Sequence, residues 1–204
     1  MKNEKVIIFD FGSQYTQLIA RRVRELNIYS EIHPFSKDIK IDDSVRAIIL
    51  SGSPYSVRED NAPIPSLDCL NQDIPVLAIC YGAQFLAYNN GGTVSPSKIR
   101  EYGRANLSFF DSNSRLFKGI SSNSQVWMSH GDTITNIPES FKLIASTKEV
   151  DIAAYSINKK NVFGLQFHPE VYHSKDGKKI ISNFLITICN CKQDWTPDSF
   201  IDST

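Results

Sequence analysis

Val76-Leu77-Ala78-Ile79-Cys80-Tyr81-Gly82-Ala83-Gln84 is the stretch that decides the fold. Four apolar residues in a row, with no polar alternation, read as a strand buried on both faces. They run directly into Cys80-Tyr81-Gly82 and a helical pattern through about Tyr88. The same grammar opens the chain. Val6-Ile7-Ile8-Phe9 reads as a buried strand, Asp10-Phe11-Gly12-Ser13 as a turn, and Leu18, Ile19, Val23 and Leu26 form one helical stripe. A second strand is expected near Tyr29 to His33, ending at Pro34. A third, Ala47-Ile48-Ile49-Leu50, runs into the turn-rich Ser51-Gly52-Ser53-Pro54. Strands alternating with helices predict an α/β domain with a mostly parallel central sheet and helices on both faces.

The second half changes character. Gly91-Gly92, Asp111 to Ser114 and Ser121 to Ser124 punctuate short alternating segments, which predict a smaller antiparallel sheet. Val162 to Phe167 is one more apolar strand, leading into His168-Pro169-Glu170. A last helix is expected over Lys178 to Ile188, burying Ile180, Ile181, Phe184, Leu185 and Ile188. One domain therefore covers 1–190, and the polar 191–204 reads as a linker or docking tail.

Composition narrows the function classes. The 204 residues can bury a sizeable core, and 22 basic residues balance 22 acidic ones. A neutral chain without a long basic run has no electrostatic footprint for nucleic acid or a membrane surface. Arg21-Arg22-Val23-Arg24 and Lys178-Lys179 read as solvated helix faces. No stretch approaches the ~20 apolar residues of a membrane span. Cys69, Cys80, Cys189 and Cys191 are too sparse for a disulfide framework, so a soluble cytoplasmic protein is expected. The cysteines and histidines match no zinc spacing, and no Gly-x-x-x-x-Gly-Lys phosphate loop occurs, so neither a metal nor nucleotide hydrolysis is expected of this domain.

Ligands of parallel α/β sheets sit beyond the carboxyl ends of the strands. Three loops with unusual chemistry emerge there: Ser51 to Val57, Ile79 to Gln84, and Phe167 to Glu170. Cys80, at a sharp strand-to-helix turn, would meet the unpaired N–H groups and positive end of a helix, which favour thiolate. Taken alone it is also compatible with a buried structural thiol. In an extended segment His168 and Glu170 project to the same side, so the carboxylate can orient the ring and leave its other nitrogen for the thiol proton. By itself this string reads first as an exposed turn. Together the three form a nucleophile, base and orienter set.

Ile79-Cys80-Tyr81-Gly82-Ala83-Gln84, with Phe167-His168-Pro169-Glu170 far downstream, resembles the Cys…His-x-Glu signature of class I glutamine amidotransferases, in order and in spacing across nearly the whole chain. Asp10 to Gln17, Ser51 to Val57 and Met128-Ser129-His130-Gly131-Asp132 resemble the GMP synthase branch of that family, as does the tail Cys191 to Trp195. The resemblance implies a flavodoxin-like amidotransferase fold and glutamine hydrolysis through a Cys80 thioester, with His168 as acid and base and Glu170 as its orienter. It implies an oxyanion hole from the backbone N–H groups of Ser53 and Tyr81. It also implies L-glutamine contacts from Gly52, Gln84, Ser129, Gly131 and Asp132. No cofactor would bind this domain. ATP and magnesium would belong to an ATP-pyrophosphatase synthetase domain, absent here and acting in cis or in trans, in a homodimeric full-length enzyme. Ammonia would pass to an adenylated xanthosine monophosphate on that domain.

Ser129 to Asp132 also fits a plain hairpin turn, and Phe11 to Gln17 a βα turn with a capping serine, which is given no catalytic role. The family usually has Gly where this chain has Ser53 and Ala78. A positive φ at position 53 would cost a serine more than a glycine. Alternatives are the amidotransferase of another synthase (anthranilate or CTP type), a γ-glutamyl hydrolase or cysteine peptidase, and a non-catalytic module of the same fold.

Overall fold

A computed structural model describes residues 4–65 and 73–196, with residues 98–101 described by backbone alone. The parallel part alternates as expected: β1 (Lys5–Asp10), α1 (Thr16–Arg24), β2 (Ser30–Pro34), β3 (Val45–Leu50), β4 (Val76–Ile79) and α2 (Tyr81–Asn89). There follow β5 (Thr93–Phe110), a 3₁₀ turn (Arg115–Phe117), β6 (Gln125–Asn136), β7 (Phe141–Thr147), β8 (Ala154–Ile157) and β9 (Val162–Leu165). The last helix is α3 (Gly177–Ser182), which continues as a π-helical turn over Asn183–Ile188.

The strands run side by side in the order β2-β1-β3-β4-β9-β8-β7-β5-β6. The first five are parallel, and the remainder pair antiparallel. This is the mixed, mostly parallel sheet read from the alternation, with two differences in its second half. The antiparallel strands extend the main sheet before they leave it, instead of standing wholly apart. And β5 is one strand of 18 residues, not a series of short segments. Its register with β6 breaks between Pro96 and Glu101 and resumes as far as Asn106, after which Leu107 to Phe110 join β7. Proline cannot donate to a ladder, which accounts for the break after Pro96.

Strand alternation explains the two cores. Val6 and Ile8, Ala47 and Ile49, Leu77 and Ile79 face α1 and α3, meeting Ile19, Val23, Ile180, Ile181 and Phe184. Ile7 and Phe9, Ile48 and Leu50, Val76 and Ala78 face the other way, against Ala83, Phe85 and Leu86 of α2. Apolar residues on both faces are what a central parallel strand needs, and each large aliphatic one contributes about 1.5–3 kcal/mol over exposure. Loop residues Phe35, Ile39, Ile41 and Ile74 complete the cover on the α2 side.

The tail, as far as described, lies against this body. Lys192 N–H donates to Glu4, and Trp195 N–H donates to the Asn27 carbonyl just beyond α1. The Trp195 ring sits 6.2 Å from Tyr29 and 5.8 Å from the Arg24 guanidinium carbon. No helix among the described residues is long and apolar enough to cross a membrane.

Candidate active site

β3, β4 and β9 are neighbours in the sheet, so the three loops at their carboxyl ends meet at one rim. At that rim Cys80 takes φ 50° and ψ −104°, a conformation L-residues rarely hold. Cys80 N–H donates to the Leu165 carbonyl (2.7 Å), tying β4 to β9 immediately before the turn. Gly82 lets α2 start this close to the sheet. A Cβ there would stand 2.6 Å from Leu50 Cβ, and the Gly82 N–H donates to the Ser51 carbonyl (3.1 Å). The chain is thus forced through a strained elbow that holds the sulfur above the first turn of α2, where the Tyr81 N–H is one of the helix's unpaired donors. Cys80 is 4% exposed, with its sulfur 3.8 Å from the Ser129 carbonyl oxygen.

His168 follows β9 by three residues. Its Nδ1 lies 2.6 Å from Glu170 Oε1, and the Glu170 side chain is fully buried. The Cys80 sulfur lies close enough to the same ring to favour its charged form, so thiol, imidazole and carboxylate stand in sequence. Burial works against a charged His168, but the Glu170 carboxylate and the Cys80 sulfur outweigh it and hold its pKa well above the ordinary histidine value. The proton is therefore present at neutral pH and is lost only as pH rises through that elevated pKa. His130, by contrast, is pushed down to about 4, first by burial and further by the nearby His168, and stays neutral.

His168 is pinned from three directions. Its N–H donates to the Trp127 carbonyl (2.9 Å), and Ser174 Oγ donates to its carbonyl (2.6 Å). The Tyr15 ring packs edge-on at 5.0 Å. Two residues on, the Arg22 Nε donates to the Glu170 carbonyl (2.8 Å), while its guanidinium pairs with Glu25 at 2.9 Å. Helix α1 is thereby tied to the catalytic loop across 148 residues of sequence. Gly52 fits against both reactive side chains: a Cβ there would lie 3.2 Å from His168 Cε1 and 3.7 Å from Cys80 Cβ.

Cys80 and His168 open into a cavity of about 680 Å³. Ser53, Gln84, Ser129, Gly131 and Asp132 also line it, whereas Gly52 and Tyr81 are not among its lining residues. Gln84 Nε2 donates to the Asp132 carbonyl (2.8 Å), which fixes the Ser129 to Asp132 segment over α2. The Asp132 carboxylate receives a hydrogen bond from Ser56 and an ion pair from Arg58 (2.9 Å). Gly12, Ser13, Gln14 and Tyr15 line the cavity too, so the turn after β1 is more than a cap. Position 53 escapes the strain a serine would suffer at positive φ. Among the described residues, the non-glycine ones with positive φ are Asn27, Cys80, Asn123, Lys159 and Asn190, and Ser53 Oγ instead donates to the Phe11 carbonyl (2.8 Å).

The remaining candidates stay outside. His33 pairs with Glu31, and His173 stacks on Trp127 at 4.4 Å. Cys189 and Cys191 are buried beside one another at the end of the last helix, and burial pushes the Cys189 thiol up. Cys69 lies outside the described residues.

The family model described as glutamine amidotransferase class-I matches residues 7–188. A glutamine-hydrolysing GMP synthase of Cytophaga hutchinsonii is 57% identical over 98% of this chain and 40% of its own length. One from Bacteroides thetaiotaomicron is 58% identical over the same shares. Among solved structures, a putative GMP synthase subunit of Thermoplasma acidophilum superposes with a TM-score of 0.79 at 29% identity, covering all of both chains. A glutamine amidotransferase of Thermotoga maritima shares the fold, with a TM-score of 0.75 at 18% identity over 93% of this chain and 99% of that one.

Proposed function

This chain belongs to the class-I glutamine amidotransferase family, and from that membership we propose that it hydrolyses the side-chain amide of L-glutamine and supplies ammonia to a GMP-forming synthetase domain. The observation that carries the reading is the buried Cys80–His168–Glu170 chain opening into one cavity.

The Cys80 sulfur attacks the amide carbon, forming an S–C bond and placing negative charge on the former carbonyl oxygen. The N–H groups of Tyr81 and Ser53 receive that oxyanion, a donor of this kind being worth roughly 3–4 kcal/mol in other enzymes. His168, held protonated by Glu170, gives its proton to the departing nitrogen as the C–N bond breaks, and ammonia leaves. Neutral His168 then takes a proton from water, whose oxygen attacks the thioester. Glutamate departs, the thiolate returns, and the ring is again charged. Gln84, Ser129, Gly131 and Asp132 hold the amino-acid end meanwhile.

The chain spans about 40% of the length of its curated relatives. Their shared name, glutamine-hydrolysing GMP synthase, favours xanthosine monophosphate as the acceptor over an anthranilate or CTP partner. In this reading the synthetase domain takes ATP and magnesium, the glutaminase domain spans 1–190 with 191–204 leading toward the synthetase, and both work in the cytoplasm. The full-length enzyme is a homodimer.

The test combines this chain with its synthetase domain, ATP, magnesium, xanthosine monophosphate and glutamine. We expect GMP and glutamate in equal amounts, and slow glutamine hydrolysis when the chain is alone. Glutamine left intact in the complete mixture would end the glutaminase reading. Hydrolysis that never yields GMP would end only the choice of acceptor.

A further inference from the structure

We propose that Arg58 is a specificity residue that binds the α-carboxylate of the substrate amino acid; this rests on the glutaminase reading above. Glutamine reaches the cavity as a zwitterion, and a site that selects it must offer an anion for the ammonium and a cation for the carboxylate. Asp132 supplies the first. Among the described residues, Arg58 is the one lysine or arginine lining the cavity, and neither His168 nor His130 is suited to the second role. His168 is engaged by Glu170 and Cys80, and burial keeps His130 neutral.

Arg58 Nη2 rests 2.9 Å from Asp132 Oδ1, while Ser56 donates to Oδ2. Both partners come from the loop after β3, and both line the same cavity as Cys80. The ion pair is only partly buried, with the Arg58 side chain 39% exposed and Asp132 11%. Such a pair gains little from being closed, so opening it for a ligand of matching charges costs little. Each charged group then exchanges one partner for another: Asp132 turns from guanidinium to ammonium, and the planar fork of Arg58 takes a carboxylate in two parallel hydrogen bonds. The number of charge-assisted hydrogen bonds rises, and no group is left unpaired. A lysine, offering a point charge, would reproduce the attraction without the fork.

The measurement compares L-glutamine with its α-carboxamide, glutaminamide, in the chain supplemented with its synthetase domain, reading kcat/KM for side-chain ammonia release. Arg58→Gln should lower kcat/KM for glutamine by about 10- to 50-fold, chiefly through KM, and leave glutaminamide within about twofold, as expected for one lost charged hydrogen-bonding partner. Arg58→Lys should recover part of the loss for glutamine alone. Equal losses on both substrates would overturn the proposal, because Arg58 would then serve only to hold Asp132. No loss on either would overturn it as well. A wild-type protein inert toward glutamine defeats the glutaminase reading itself and is recognised by that control.

Discussion

Cys80→Ala is expected to lower glutamine hydrolysis by about 10⁴-fold or more, because removing a covalent nucleophile leaves only binding and the oxyanion donors. The fold should survive, since alanine keeps the Cβ and the elbow is held by hydrogen bonds of the main chain, such as Cys80 N–H to Leu165 and Gly82 N–H to Ser51. The same position separates chemistry from stability. At φ 50° and ψ −104° any side chain carries backbone strain of about 1–3 kcal/mol, which glycine escapes. Cys80→Gly should therefore be as inactive as Cys80→Ala yet melt higher than it, by about 2–4 °C for each kcal/mol of strain relieved. Equal melting temperatures would mean the elbow is relaxed, and retained activity in either variant would move the nucleophile elsewhere.

Gly177→Ala should damage stability and catalysis together. A Cβ at this first residue of α3 would lie 1.9 Å from the Pro169 carbonyl oxygen and 2.8 Å from its carbon. Both atoms are main chain, so no side-chain end can swing away. Either α3 retreats and draws Ile180 and Ile181 out of the core, or the His168-Pro169-Glu170 loop moves. We expect a loss of about 3 kcal/mol, seen as a melting temperature lowered by roughly 6–12 °C. Well below that melt, glutamine turnover should still be down about 100-fold, because a displacement near 1 Å in a reacting array costs that much. A variant with both properties unchanged would show that α3 and the catalytic loop are not packed in this way.

The parallel half of the fold was legible because its strands announce themselves twice, by uninterrupted apolar runs and by the Gly- and Ser-rich turns that follow. Their ordering in one sheet then makes neighbours of the ends of β3, β4 and β9, which brings Cys80, Gly52 and His168 together. The antiparallel half was less legible. Thr93 to Phe110 contains proline, glycine and charges, yet its two parts find different partner strands, and pairing of that kind is long-range. The π-helical turn after Ser182 carries no sequence mark either, since Phe184, Leu185 and Ile188 fit an α-helical stripe just as well.

Within the site, side chains at strand ends could be read, whereas those that support them from a distance could not. Arg22 looked like one more solvated helix charge, but its Nε holds the Glu170 carbonyl. Ser174 and Trp127 fix the His168 main chain from neighbouring segments. A positive φ would have been costly at Ser53, and it is found at Cys80 instead. Only the tertiary fit shows that the short loop after β3 can bond through Ser53 Oγ without a left-handed residue, while the elbow cannot avoid one.

Exposure to a diazo-ketone analogue of glutamine, followed by peptide mass spectrometry, probes the convergence of sulfur, imidazole and carboxylate most directly. The adduct should appear on Cys80 alone, glutamine should protect against it, and His168→Ala should slow its formation sharply. An adduct on Cys69, Cys189 or Cys191, or labelling of Cys80 that is indifferent to the loss of His168, would contradict the assignment.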